Sequence, residues 1–274
     1  MPMKKLLAFP YCSLVILCLY ISSAHAENEH SYFNQTMGVN LGYFFTNIDN
    51  NAQLSGTLTG SDLNFETDLG LNSHSNTFKS DIFWRITPKH RLDFTWFGLF
   101  QNGQQLSNRE ITIGDHIIPA GTGLQSNFNF NRYQFTYTYN LFQGDNFETG
   151  PSLGVYTISI NSNINSVVAN SVKTNFSSTN IALPLPTIGW RGSYGLTKDI
   201  TLHSHFNFMI VSIDKWKGDL YDFQLAAEYN FLKYMGIGMA YNLSFLEVNH
   251  IDDNSSFKYN YDFQGVQTYI KFAF

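Results

Sequence analysis

The chain has 274 residues, of which 14% are charged and 16% aromatic; its formal charge is −5 and its mean hydropathy −0.16. So many aromatics exclude a disordered chain, and the lack of apolar runs of about 20 residues in the body of the chain argues against membrane helices. The acidic balance, with no basic stripe, argues against nucleic-acid binding, and two cysteines are too few for a disulfide scaffold.

Residues 1–26 read as a secretory signal peptide. Lys4 and Lys5 form its positive end, Leu6 to Ile21 is mostly apolar, and Ser22-Ser23-Ala24-His25-Ala26 ends in the small-x-small pattern of a cleavage site. Cleavage after Ala26 removes both cysteines, Cys12 and Cys18. Residues 27–34 are then a short periplasmic segment, and 35–274 a single domain.

Beyond residue 35 the recurring signal is period-two alternation, the signature of half-buried strands. Leu92, Phe94, Trp96, Gly98 and Phe100 alternate with Arg91, Asp93 and Thr95. Further on, Tyr221, Phe223, Leu225, Ala227, Tyr229 and Phe231 alternate with Asp222, Gln224, Glu228 and Asn230. Such runs have the 9–11 residues that a tilted strand needs to cross a bilayer. Large aromatics on one face and polar or small residues on the other fit a barrel with lipid outside. Backbone groups in lipid must all be paired, so the sheet has to close.

The expected fold is therefore all-β: an antiparallel transmembrane β-barrel with short periplasmic turns and longer extracellular loops. Four short turns (Thr87–His90, Phe142–Asn146, Leu196–Asp199, Leu232–Met235) alternate with five longer connections (48–75, 102–122, 162–180, 214–219, 250–257). That pattern predicts ten strands, at 35–47, 76–86, 91–101, 123–141, 147–161, 181–195, 200–213, 220–231, 236–249 and 258–274. An extra hairpin within Leu54 to Leu71 would make twelve, and Arg109 to Pro119 could form another outside the membrane. The alternation changes phase near Asn131 and near Gln264, which predicts a bulge or departure from the membrane at each. Pro184 and Pro186 cannot donate to a ladder and are expected near the outer rim.

The polar face is expected to line the lumen. It carries Lys79, Asp81 and Arg85, then Arg91, Asp93 and Arg132. Later strands add Arg191, His203 and His205, then Asp222, Glu228 and Lys271. Ten strands enclose little more space than side chains fill, and confined charges must be paired. The expectation is an ion-pair network that plugs the lumen; a narrow, porin-like path for small solutes is the alternative. In a tight hairpin of strands 200–213 and 220–231, His205 would lie near Glu228. Two histidines and a carboxylate are metal-ligand types, but neighbouring hydrogen bonds explain them as well, and no metal or cofactor is expected.

Barrel hydrolases are the third reading. Asp252-Asp253 near His250 have the residue types of an omptin-like protease, without a second acidic pair at a comparable depth. His203 and Ser204 point to opposite faces of one strand and cannot cooperate. The expectation is a protein that is not an enzyme and has no catalytic residues. Lys215-Trp216-Lys217 forms a basic-aromatic tip that could touch anionic lipopolysaccharide.

The chain ends in Val266, Thr268, Ile270, Phe272 and Phe274. This resembles the terminal signal of bacterial outer-membrane barrels, with Ile270, Phe272 and Phe274 presented to the barrel-assembly machinery. The chain also resembles an uncharacterised bacterial family of outer-membrane β-barrel proteins. The resemblance rests on Asp68-Leu69-Gly70-Leu71, Pro88-Lys89-His90-Arg91-Leu92, Ile113-Gly114-Asp115 and Leu183-Pro184-Leu185-Pro186 with Gly189 and Arg191-Gly192. It continues with Asp219-Leu220-Tyr221-Asp222, Gly236-Ile237-Gly238 and Tyr241-Asn242. It implies a fold and a place in the bacterial outer membrane, and no catalytic residue or ligand. The expected partners are outer-membrane lipids, lipopolysaccharide and the assembly machinery, and the expected state is a monomer.

Overall fold

The computed structural model describes residues 31–55, 60–113, 116–167, 173–251 and 256–274. The expected signal peptide and the Asp252-Asp253 pair lie outside these residues.

Ten long strands form one antiparallel sheet closed on itself. They are β1 (Met37–Ser55), β2 (His74–Thr87), β3 (His90–Leu106), β4 (Gly123–Tyr139), β5 (Phe147–Val167), β6 (Lys173–Gly195), β7 (Ile200–Ile213), β8 (Trp216–Leu232), β9 (Met235–Ile251) and β10 (Ser256–Ala273). Each pairs with its neighbours in chain order, and β10 pairs with β1 from Gly38↔Ala273 to Ser55↔Ser256, which closes the ring. All ten expected strands are present. Among the described residues of 54–71 there is no further crossing: Asp62–Asn64 folds back onto the upper end of β1. Ile111–Ile113 and His116–Ile118 form a small separate hairpin.

The strands run 14–23 residues, well beyond a bilayer crossing. Along several of them, β1, β4 and β10 among these, the polarity of the two faces inverts. In the lower part, Leu41, Tyr43 and Phe45 of β1 point outward and are exposed, as are Val266, Ile270 and Phe272 of β10. Further up the outward positions are polar, Asn47, Asp49 and Asn51 on β1 and Gln264 and Asp262 on β10. The inward positions change the opposite way. On β4 they pass from buried Thr138, Thr136, Gln134 and Arg132 to buried Phe130, Phe128 and Leu124.

The barrel thus has two storeys. In the membrane storey the apolar face meets lipid and the polar face the lumen. In the upper storey the apolar side chains turn to a core inside the barrel and many polar ones face outward. Of the two expectations at Asn131 and Gln264, a bulge or departure from the membrane, the ladders exclude the bulge. The β3–β4 register runs unbroken through Gly98↔Asn131, and the β10 registers run unbroken through Gln264 on both sides. No residue is inserted; the side chains keep their alternation while the solvent on each face changes.

The upper core contains Phe44, Phe97, Phe130, Tyr261 and Phe263, all buried. Phe97 stacks on Phe263 at 5.3 Å and Phe130 on Tyr261 at 4.3 Å. Leu63, Phe65, Leu69 and Leu71 of the first outer loop complete it from above, and Ile111, Ile113 and Ile118 join from the second. The two loops are tied together where Arg109 bonds Asp68 at 2.7 Å and Ser61 N–H donates to Thr112 O at 2.9 Å. Gly103 on β3 leaves the gap through which the Leu69–Gly70 backbone passes, and Gly70 takes a positive φ of 69° there.

Pro184 and Pro186 sit in an unbroken ladder with β5, opposite Thr157 and Val155. The ladder from β6 to β7 begins only below them, at Ile188↔Phe208. The missing donors coincide with the one stretch where these neighbours stop pairing.

Candidate functional site in the barrel lumen

The membrane storey holds the chemistry. All twelve charged or imidazole residues expected inside point inward. Lys79, Arg85, Arg91, Arg132, Asp222, Glu228 and Lys271 are buried, and Asp81, Asp93, Arg191, His203 and His205 are partly buried.

They form three connected groups. Nearest the upper core, Arg132 bonds Asp222 at 3.0 Å and lies over the rings of Tyr156 and Phe263, each 5.2 Å away. Asp222 also accepts from Tyr156 Oη at 2.8 Å and faces His205 Nε2 at 3.3 Å. Asn207 then donates to the Tyr156 hydroxyl. In the middle, Asp81 accepts from Thr95 at 2.7 Å and lies 3.9 Å from Lys79, whose ammonium donates to Asn242 at 3.0 Å. Lys271 pairs with Glu228, which also faces His203 Nε2 at 3.7 Å. At the periplasmic end, Arg91 holds Asp93 through Nε and Nη2, and Arg85 makes a two-pronged pair with Glu148 at 2.9 Å.

The β7–β8 register corrects the histidine expectation. His205 pairs with Gln224 and His203 with Ala226, so His203 is the one beside Glu228, while His205 reaches Asp222. The two imidazoles serve different carboxylates, and among the described residues no three metal-ligand types converge on one point.

Two members were not foreseen. Glu148 stands just after the Phe142–Asn146 turn, where its place at the start of an inward-facing run was the only available signal. Tyr32 belongs to a single 3₁₀ turn, Ser31–Asn34, at the lower mouth. Instead of lying free in the periplasm, this turn carries Tyr32 into the barrel. There the ring is buried, with Lys271 Nζ 4.8 Å and the Arg85 guanidinium 5.2 Å from its centroid. Its hydroxyl accepts from Arg91 at 2.7 Å and from Arg191 at 3.1 Å. Arg85 fastens the turn by donating to the carbonyls of Tyr32, Phe33 and Gln35.

Between Tyr32 below and the aromatic core above lies a polar cavity of about 90 Å³, bordered by Asp81, Arg91, Asp93, Arg191, His203 and His205 among others. That is room for several waters. The proposed assembly signal lies elsewhere: Ile270, Phe272 and Phe274 point outward from β10 and are exposed. Phe274 N–H donates to Met37 O at 2.8 Å.

No family model and no curated protein matches the sequence. Among solved structures, the outer-membrane protease OmpT of Escherichia coli is similar over 86% of this chain and 97% of its own, at 12% identity and a TM-score of 0.53. The fold is that of an outer-membrane β-barrel. The toluene transporter TodX of P. putida aligns over 90% of this chain and 93% of its own, at 9% identity, with a TM-score of 0.35. A Pseudomonas aeruginosa FadL homologue covers the same shares at 9% identity, with a TM-score of 0.32. Only the first likeness bears on architecture, and at that identity it bears on nothing else.

Proposed function

We propose that the protein is a closed, monomeric barrel of the bacterial outer membrane whose role is non-enzymatic, as a structural or surface-exposed element of the envelope. One observation carries this reading. The upper storey fills the barrel with an apolar core, and the loop carrying Phe65 and Leu69 completes it over the charged lumen. A permeating ion would have to displace Phe97, Phe130, Tyr261 and Phe263, which pack ring on ring. Beneath them, Asp222 is engaged by Arg132, Tyr156 and His205 together, which suits a structural hub better than a base awaiting substrate. Lipids and lipopolysaccharide are the surroundings this surface fits, and the terminal strand suits delivery by the assembly machinery.

Planar-bilayer recording tests the reading. Purified protein should show no stable open state, and a reproducible conductance in the intact chain would overturn it. A narrow channel is the second reading, favoured by the polar cavity. It predicts conductance that rises when Tyr32→Ala is combined with removal of residues 60–71, and ion selectivity that changes in Asp93→Asn.

A further inference from the structure

Five of the lumen's six lysine and arginine side chains have a carboxylate of their own. Arg85 has Glu148, Arg91 has Asp93, Arg132 has Asp222 and Lys271 has Glu228 at hydrogen-bond distance, and Lys79, though 3.9 Å away, is the nearest cation to Asp81. The sixth is Arg191. Its nearest carboxylate oxygens are 3.9 Å away on Glu148 and 4.0 Å away on Asp93. Both carboxylates already hold a closer arginine, at 2.9 and 2.8 Å. The hydrogen bonds Arg191 makes go to neutral hydroxyls, Tyr32 at 3.1 Å and Ser193 at 3.3 Å.

Among the described residues, then, the lumen carries one positive charge in excess. A confined charge without a counter-ion is costly. The guanidinium borders the polar cavity, and its cross-strand neighbour on β5 is Gly150, which puts no side chain over it. Thr138 borders the same cavity, and its buried hydroxyl has no hydrogen-bond partner. Its wall also carries Asp81, Asp93 and Glu228, but these are the carboxylates already neutralised by their own cations. The cavity exceeds what a single water or halide requires.

We propose that this cavity binds a small monovalent inorganic anion, of chloride size, as the counter-ion of Arg191. The ion would sit between the guanidinium and the hydroxyl-lined wall, sealed below by Tyr32. The site needs only the cavity and the charge imbalance, and it stands whether or not the barrel conducts.

The test is thermal unfolding of the full mature protein in detergent at pH 8 and fixed ionic strength. Replacing gluconate by chloride should raise the unfolding midpoint saturably by several degrees, and bromide should do the same. R191Q should lose the response and R191K should keep it. Bromide-soaked crystals of the unaltered protein should show an anomalous peak beside the guanidinium, a readout that does not depend on R191Q folding. Equal midpoints in gluconate and chloride would overturn the proposal, as would a response undiminished in R191Q or a bromide map empty at this position. An anion response that arises only after E27Q and E29Q are introduced together would also overturn it. In that case a carboxylate preceding Tyr32 is the counter-ion.

Discussion

Replacing Glu148 with Gln keeps the shape of the side chain and removes its charge. Arg85, buried beside it, then keeps three backbone carbonyls as acceptors but loses the carboxylate that neutralises it. Both side chains are only 6% and 4% exposed, so solvent screens the pair weakly. Breaking a buried pair from one side costs about 3–5 kcal/mol. The remaining acceptors around Arg85 set the expectation for E148Q at the lower end, about 3 kcal/mol. Replacing both partners by apolar residues of similar volume, Arg85→Met with Glu148→Leu, should cost less than the two single changes added together, because no unpaired charge is left behind. The carbonyls of Tyr32, Phe33 and Gln35 would still lose their donor, so the double variant should not reach the parent. The assay is urea unfolding of protein refolded into lipid vesicles, followed by tryptophan fluorescence, with the four proteins forming a double-mutant cycle. A cost below about 1 kcal/mol for E148Q, or strict additivity in the cycle, would refute the idea that this pair neutralises a buried charge.

Phe97→Ala should destabilise the upper storey by about 3–5 kcal/mol, since its fully buried ring contacts Phe44, Phe130 and Phe263; the same vesicle assay measures it. Gly238→Ala should cost about 1–3 kcal/mol, because the Tyr269 ring lies where the new methyl must go. Its double variant with Tyr269→Ala should recover part of the clash term. Asp262 lies above the lipid belt opposite Asp49 and near Glu247, and burial together with these like charges pushes its carboxyl up to about 6. A raised acid penalises the folded state above that pH and the penalty is lifted as pH falls through it. Stability should therefore rise slightly from pH 7 to pH 5, by less than about 1 kcal/mol at this exposed site, and D262N should abolish that part of the pH dependence. Removing Phe274 should lower the yield of assembled barrel in cells while sparing refolding in vitro; equal yields would argue against its role as a signal.

Strand number and facing were legible because period-two alternation and turn length are local properties. The inward placement of Arg132, Asp222 and Lys271 followed from the same arithmetic. What could not be read locally was height. At Asn131 and Gln264 polarity changes sides, and from one strand this looks like a slipped register. Only the ladders on both sides show that the register is kept. The strand ends were underestimated for the same reason: Ile48, Asn50 and Ala52 of β1 no longer alternate as a membrane strand would, though the backbone pairing continues to Ser55. Tyr32 was illegible for another reason. A single 3₁₀ turn has no period, and its burial depends on Arg85, Arg91 and Arg191 arriving from three other strands.

The inversion also explains why the charges are matched so closely. In an open, water-filled pore, ions on the wall are solvated and need no fixed partner. Here the apolar storey closes one end of the lumen and the Tyr32 turn fills the other, so water is confined to a small cavity. Desolvation then makes each unpaired ion expensive, and four cations meet a carboxylate at hydrogen-bond distance while Lys79 lies 3.9 Å from Asp81. The His203–Glu228 and His205–Asp222 contacts extend the same pattern, since each imidazole shares a carboxylate that already has its cation. A lumen selected to pass ions would gain nothing from such saturation, because every tight pair raises the barrier to exchanging a partner for a passing ion. Pairing beneath an apolar core thus fits the closed barrel proposed above, and Arg191, which among the described residues has no carboxylate of its own, marks where an outside ligand would be held.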